Sequence, residues 1–177
     1  MKYMIASDLH GSAYFTKKTI DRFEVEKADK LILLGDIYNH GPRNPLPKDY
    51  DPKKVADILN GIKNKIIVIK GNCDSEVDTM ISDFDFFPHL VLESANKLVF
   101  LTHGHVYNKD ALPKTDFDAL IYGHFHTGFI KKVDVTFANA GSVSLPKNDT
   151  LNSYLILEND RLILKDLDGN IITDENI

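Results

Sequence analysis

The sequence contains only one cysteine, Cys73, so it can form no internal disulfide. This agrees with a reducing compartment. No apolar run is long enough to span a bilayer, and the first apolar run already begins within residues 1–8, where it leaves no room for a signal peptide. We therefore expect a cytoplasmic protein without a membrane partner.

A block of basic residues is also missing. The chain has 21 Lys and Arg against 26 Asp and Glu, for a formal charge of −5. Proteins that bind duplex nucleic acid present a wide positive surface, so we expect no stable nucleic-acid partner, although nucleic acid remains open as a substrate. With 177 residues, 43% of them hydrophobic and without internal repeats, the chain fits one domain spanning residues 1–177.

Apolar periodicity predicts alternating strands and helices in the first half and mostly strands in the second. The predicted helices are 12–26, capped by Ser12, a second beginning at Pro52, and a short one over 75–82. The predicted strands are 4–7, 31–34, 66–69, 90–92, 98–101, 119–122, 129–138, 154–157 and 162–167. This order predicts two packed sheets, the first fed by βα crossovers and the second built of later hairpins, with helices outside. The proline-rich segment 37–51 is predicted to be a functional loop, since it follows Asp36.

Five apolar runs end directly on side chains that can bind a metal. These side chains are Asp8 and His10, Asp36, Asn72, His103, and His124 with His126. Ligands in α/β proteins collect beyond the carboxyl ends of strands, so we expect these residues to meet at one sheet edge. Each alone is explained equally well as a turn former, a cap or a packed residue. Their recurrence at the same topological position predicts a metal site.

The ligand types narrow the choice of metal. Carboxylates, imidazoles and an amide oxygen suit Mn²⁺, Fe²⁺, Zn²⁺, Co²⁺ or Ni²⁺ better than Ca²⁺ or a structural zinc. The candidate ligands are too many for one ion that keeps an open position, whereas two ions that share a carboxylate would use them all. Such a pair clamps the attacking and leaving oxygens of a phosphoryl displacement. The formal charges of two divalent ions, the Asp8 and Asp36 carboxylates and a hydroxide sum to about +1. This net charge suits a phosphodiester monoanion better than a monoester dianion.

These blocks resemble a known family. Asp8-x-His10, Gly35-Asp36, Gly71-Asn72-x-Asp74, His103 and Gly123-His124-x-His126 are similar to the signature of the calcineurin-like metallophosphoesterases, over residues 2–147. Within that family, segments 39–44, 71–78 and 141–144 resemble the small bacterial phosphodiesterases of the YfcE type.

The resemblance implies an α/β (α+β) fold, a four-layer αββα sandwich of two mixed β-sheets flanked by helices. It also implies a metal-dependent phosphodiesterase with two divalent ions, Mn²⁺ being the first candidate, and a small phosphodiester as substrate. One ion would take Asp8, His10, Asp36 and His126. The other would take Asp36, Asn72, His103 and His124, so that Asp36 bridges the ions and a hydroxide between them attacks phosphorus.

Two alternatives follow from the same family. Its fold also hosts phosphomonoesterases and nucleases, so the substrate must be argued from the site. The retromer scaffold subunit resembles this fold with an incomplete ligand set and serves as a binding module. The complete ligand set here favours the enzyme.

Six further residues are candidates for the site. Cys73, Asp74 and His105 are the catalytic candidates, and Asn39, His40 and Arg43 are the substrate-binding candidates. His105 either donates a hydrogen bond to the site from outside the shell of metal ligands or only packs against its neighbours.

Cys73 stands where many family members carry a histidine that is thought to protonate the leaving oxygen. A neutral thiol is a poor acid, so alkoxide leaving groups should be handled badly. A cysteine nucleophile is disfavoured because Thr79 stands where cysteine phosphatases need an arginine. Phe125, between two ligands, is a candidate for the pocket wall. A homo-oligomer is also open, and a C₂ dimer is the commonest kind.

Overall fold

Two β-sheets packed face to face form the framework of the protein. The computed structural model describes residues 1–177. The strands are β1 (Lys2–Ala6), β2 (Lys30–Leu33), β3 (Ile66–Ile69), β4 (Phe86–Phe87), β5 (Leu90–Ser94), β6 (Lys97–Leu101), β7 (Ala119–Tyr122), β8 (Phe129–Lys132), β9 (Thr136–Asn139), β10 (Ser153–Glu158), β11 (Arg161–Asp166) and β12 (Ile171–Asn176). The helices are α1 (Ala13–Glu26) and α2 (Pro52–Asn60), and short 3₁₀ helices cover Lys63–Lys65 and Glu76–Met80.

The first sheet has seven strands in the order β12-β11-β10-β1-β2-β3-β4, and the second has five in the order β5-β6-β7-β9-β8. Strands β1 to β4 are mutually parallel, as are β6, β7 and β9. The predicted sandwich of two mixed sheets is therefore confirmed. Parallel strands bring their carboxyl ends to one edge, so the loops after β1, β2 and β3 lie together, as do those after β6 and β7.

Both α-helices cover the seven-stranded sheet. Ser12 caps α1 by accepting a hydrogen bond from the Phe15 backbone N–H at 3.2 Å, as the sequence predicts. Asp51 caps α2, and Pro52 occupies its first turn. Apolar side chains of both helices, including Phe23 and Leu59, join a core of 18 buried residues against this sheet.

The core between the sheets contains 15 buried residues, contributed by both layers. Ile5, Ile32 and Ile69 come from the first sheet, and Leu101 and Ile121 come from the second. The outer face of the second sheet carries no α-helix. Aromatic side chains from the segment after β6, Tyr107 and Phe117, pack there against the buried residues Phe100, Leu120 and Tyr122.

Several predicted elements need correction. The single strand predicted over 129–138 is a hairpin of β8 and β9, and the helix predicted over 75–82 is a 3₁₀ helix. The late strands β10 and β11 do not build the second sheet as expected, because β10 pairs antiparallel with β1 and extends the first sheet. Strands β4 and β12 were not predicted. No helix in the structure has both the length and the apolar character needed to cross a membrane.

Glu26, the last residue of α1, fastens this helix to the first sheet. Its side chain is 8% exposed and accepts hydrogen bonds from Tyr154 Oη at 2.7 Å, Lys2 Nζ at 3.4 Å and Lys165 Nζ. Burial acts to raise the pKa of Glu26, but these donors outweigh it and hold the pKa below its usual value.

We expect Glu26→Gln to lower the free energy of unfolding by about 1.5–3 kcal/mol at neutral pH, the usual worth of hydrogen bonds to a charged group. Because the folded-state pKa is lowered, this stabilisation is fully present above the unfolded-state pKa and is lost as the pH falls through the folded-state pKa. Urea unfolding of wild type and variant should therefore converge in acid.

Glu24→Gln is the matched control, since Glu24 pairs with Lys65 at 3.2 Å and both side chains are more than half exposed. It should cost less than about 1 kcal/mol. Equal losses in the two variants would contradict the role given to Glu26.

Candidate metal centre

The predicted ligands sit on short turns directly after strands, and the backbone of these turns is unusual. Asp8, His10, Asp36, His124 and His126 all have positive φ, between 49° and 65°. Non-glycine residues rarely adopt this left-handed conformation, and holding one there costs about 1–3 kcal/mol. Backbone strain of this kind clusters at functional sites, where surrounding contacts maintain it.

Two glycines allow the turns to approach one another. A Cβ atom at Gly71 would overlap the Asp36 carboxylate, and one at Gly123 would overlap Ser7 Oγ. Since only glycine lacks this atom, these positions bring the loops after β2 and β3, and those after β1 and β7, into direct contact.

Three buried histidines are held by their Nδ1 atoms. His10 Nδ1 lies 2.7 Å from the carbonyl oxygen of Asn39, His103 Nδ1 lies 2.8 Å from that of Leu34, and His126 Nδ1 lies 2.6 Å from that of Leu145. A carbonyl oxygen only accepts, so each Nδ1 carries the proton and donates it. In the neutral imidazole each Nε2 then has a free lone pair, the arrangement that metal-binding histidines use.

The free Nε2 atoms converge on carboxylate oxygens. His10 Nε2 and His126 Nε2 are 3.1 Å apart, and they lie 3.5 Å and 3.3 Å from Asp8 Oδ1. This oxygen is buried and has no hydrogen-bond partner. Lone pairs that face one another around an unpartnered buried carboxylate oxygen fit a cation between them.

Asp36 lies between this cluster and a second one. Its Oδ2 is 3.8 Å from His10 Nε2, whereas its Oδ1 is 3.4 Å from His103 Nε2. His103 Nε2 is in turn 3.0 Å from Asn72 Oδ1. The carboxylate thus directs one oxygen toward each cluster, which is the placement expected of a bridging ligand.

His124 lies at the margin of the second cluster. Its ring packs edge-on against His103 with 5.1 Å between centroids, and its backbone N–H donates to Asp8 Oδ2 at 3.0 Å. Its ring nitrogens do not belong to the three groups whose ligand atoms all lie within 4.8 Å of one another. Six of the seven predicted ligands are therefore in close contact, and the seventh ring is adjacent.

The charges of the cluster are coupled. Burial acts to raise the pKa of Asp8, but the neighbouring imidazoles of His10 and His126 hold it well below its usual value. Burial acts to lower the pKa of His103, but the carboxylates of Asp36 and Asp8 raise it to about 9. Without metal, the carboxylates thus favour a proton on His103 Nε2, and a divalent cation bound there would replace this proton and supply the positive charge.

Several residues position the ligands without facing the cluster. Asp74 accepts hydrogen bonds from the backbone N–H groups of Asp36, Ile37 and Gly71 at 2.9, 2.7 and 2.7 Å. Ser142 and Ser144 both donate to the carbonyl oxygen of Asp8, at 2.9 and 2.8 Å. Sequence reasoning singled out segment 141–144 but gave its serines no role.

Cys73 lies beside the bridging carboxylate. Its backbone N–H donates to Asp36 Oδ1 at 2.8 Å, and its Sγ accepts from Asn72 Nδ2 at 3.3 Å. Burial, together with the carboxylates of Asp36 and Asp74, raises the pKa of the thiol to about 12. Without bound metal, Cys73 is therefore a neutral thiol at physiological pH, which disfavours a thiolate nucleophile.

A cavity of about 740 Å³ opens over Asp36, Asn72 and His126. Of the predicted substrate contacts, Asn39 and Arg43 line it, and so does Phe125. His40 does not, because its ring packs against Tyr50 with 5.3 Å between centroids. His105 is exposed outside the cavity wall, with its ring centroid 5.3 Å from that of His103. Lys147, which sequence reasoning missed, lines the cavity 21 residues after His126.

This geometry agrees with the comparison with known families. The sequence profile of the calcineurin-like phosphoesterase superfamily domain matches residues 1–161. The chain belongs to this superfamily.

Within the superfamily, the chain is similar to a bacterial protein. Phosphodiesterase YfcE of Escherichia coli K12 is 43% identical over 167 residues, which cover 92% of this chain and 90% of YfcE. The solved structure of E. coli YfcE, a phosphoesterase, superposes with a TM-score of 0.95 at 41% identity and covers 100% of both chains. The present protein is thus a YfcE-like phosphoesterase with a buried His/Asp metal-binding cluster.

More distant structures share only the fold. An archaeal phosphodiesterase gives a TM-score of 0.64 at 22% identity, with 100% of both chains covered. Vps29 of Entamoeba histolytica complexed with Zn²⁺ gives 0.65 at 21% identity, with 100% of this chain and 98% of Vps29 covered.

Because Asp36 directs one oxygen toward each cluster, we expect Asp36→Asn to weaken metal binding at both positions together. Elemental analysis of metal-loaded protein should find about two divalent ions per wild-type chain and fewer than one in the variant. Asp168→Asn, which removes an exposed carboxylate paired with Lys18, should keep the wild-type value. One tightly bound ion that survives Asp36→Asn would contradict a bridging role.

Proposed function

We propose that this protein is a phosphodiesterase that uses two divalent ions, Mn²⁺ being the first choice, to hydrolyse small phosphodiesters. The observation that carries the proposal is the convergence of His10, His126 and His103 Nε2 atoms on the Asp8 and Asp36 carboxylates. The oxygen and imidazole donors suit Mn²⁺, although Zn²⁺, Fe²⁺, Co²⁺ and Ni²⁺ fit the same set.

Contacts within the cluster, together with the family resemblance, support roles for the chain's own residues. Asp8, His10 and His126 would hold one ion, Asn72, His103 and His124 the other, and Asp36 both. Asp74 positions Asp36 by fixing its backbone N–H, so we assign it a positioning role rather than contact with substrate. Divalent ions bound here would supply the Lewis acidity that activates a water molecule and neutralises the phosphate.

The preference for diesters follows from the charge of the site. The carboxylates of Asp8 and Asp36 cancel about half of the charge of two divalent ions, and a hydroxide would leave about +1. A diester brings one negative charge to phosphorus and a monoester brings two, so the diester matches this site more closely.

A binding module without activity is the alternative for this fold, which Vps29 of Entamoeba histolytica shares at 21% identity. A structural similarity at such low sequence identity shows a shared fold but says nothing about activity. All the candidate ligands are present, and the turns that hold them have strained left-handed backbone conformations. This supports an active enzyme rather than a protein of the same fold with an incomplete ligand set.

The proposal predicts that Mn²⁺-loaded protein releases p-nitrophenol from bis-p-nitrophenyl phosphate and that chelated protein does not. The kcat/KM for this diester should exceed that for p-nitrophenyl phosphate in the same buffer, because the charge of the diester matches that of the site.

A blank result with every divalent metal would favour a binding module. A faster reaction with the monoester would overturn the charge argument and direct attention to Arg43, a cation in the cavity wall.

A second prediction concerns Cys73. If its neutral thiol leaves the site without an effective general acid, the rate should fall steeply as the pKa of the leaving group rises. Cys73→His should flatten this dependence, because general acid catalysis is typically worth on the order of 10²–10⁴-fold and alkyl esters need it more than nitrophenyl esters.

Cys73→Ser is the control and should leave the slope unchanged, since neither a thiol nor a hydroxyl donates a proton well at neutral pH. The measurement is a leaving-group series at fixed Mn²⁺ with the metal content of each variant determined. Equal slopes for wild type and Cys73→His, with metal retained, would place the proton donor elsewhere.

A further inference from the structure

Two cations in the cavity wall have no partner within the protein. Arg43 belongs to the loop over residues 37–51, and Lys147 belongs to the segment after His126, where its backbone N–H donates to the carbonyl oxygen of His126 at 2.9 Å. Neither charged side-chain group takes part in any hydrogen bond or ion pair. By contrast, Lys18, Lys54 and Lys63 each pair with a carboxylate on the surface.

No free negative charge in the wall balances these cations. Asp36 is the single carboxylate among the lining residues, and it faces the metal ligands His10 and His103. The whole chain carries a formal charge of −5, so two unopposed cations in one cavity depart from its general charge balance. Such a concentration of one sign in a cleft attracts ligands of the opposite sign.

The scissile phosphodiester is already matched by the metal centre, because the net charge of the centre with two ions bound would balance a diester monoanion. The charges of Arg43 and Lys147 come in addition. We propose that Arg43 and Lys147 form a subsite for a second phosphate group on one arm of the diester substrate. This inference rests on the proposed function and narrows its substrate class.

The cavity also offers an apolar surface next to these cations. Phe125 is 46% exposed and lines the same cavity. A half-exposed aromatic ring suits a planar group, and with the cations it suits a phosphorylated nucleoside arm. The volume of about 740 Å³ lies within the usual range for small-ligand sites.

The test compares two substrates that differ by one phosphate. Thymidine 5′-(p-nitrophenyl phosphate) carries the scissile diester alone, and its 3′-phosphorylated analogue carries the same diester and leaving group with a second anion. We expect Mn²⁺-loaded wild type to cleave the analogue with a higher kcat/KM, through a lower KM. Lys147→Gln should lower this preference about fivefold, the order expected for one partly exposed ionic contact.

Three further variants test whether the charge of Lys147 causes the preference. Lys147→Arg should retain the preference because it keeps the charge, and Lys147→Glu should reverse it. Lys18→Gln, which removes a paired surface lysine on α1, should leave the preference as in wild type. Raising the ionic strength should weaken the wild-type preference, since salt screens the contact.

Binding supplies a readout that does not need turnover. By calorimetry, metal-loaded wild type should bind thymidine 3′,5′-bisphosphate more tightly than thymidine 5′-monophosphate, and Lys147→Gln should reduce the difference. If diesters are cleaved but the 3′-phosphate changes neither KM nor affinity, the subsite is refuted and the phosphodiesterase stands. If no diester is cleaved but the bisphosphate binds more tightly through Lys147, the proposed activity is refuted and the anion subsite stands.

Discussion

Hydrogen bonds from three histidine Nδ1 atoms to backbone carbonyl oxygens determine the chemistry of this protein. They settle which nitrogen carries the proton, and they orient the free Nε2 atoms of His10, His103 and His126 toward the two carboxylates. The acceptors are main-chain groups at Asn39, Leu34 and Leu145, so the ligand geometry is set by the path of the backbone. A carbonyl holds its position more firmly than a mobile side chain would, which prepares the site before a metal arrives.

The same backbone carries the energetic cost of the site. Five ligand residues are held with left-handed φ values, against the preference of any residue with a Cβ atom. Asp74, Ser142 and Ser144 offset this cost by bonding the N–H and carbonyl groups that the tight turns would leave unpaired. The site is thus stabilised by residues that need not contact metal or substrate.

The convergence of the candidate ligands and most of the elements were predictable from the sequence, because apolar runs that end on Asp or His report strand ends directly. The Ser12 cap and the start of α2 at Pro52 follow from local preferences. The pairing of β10 with β1 was not predictable, since an apolar strand fits either sheet. Strand β12 was missed because most of its residues are exposed and lack the apolar signal. Lys147 was missed because only tertiary structure brings it to the cavity.

The pairing of β10 with β1 has a consequence for how the protein is made. Asp8 follows a strand whose neighbour on one side is β10, and its carbonyl oxygen accepts hydrogen bonds from Ser142 and Ser144. Contacts so distant along the chain close a long loop and form slowly. The turn at Asp8 is therefore completed only after more than a hundred further residues have been synthesised, so the candidate ligand cluster cannot assemble from the β1–β2 segment alone.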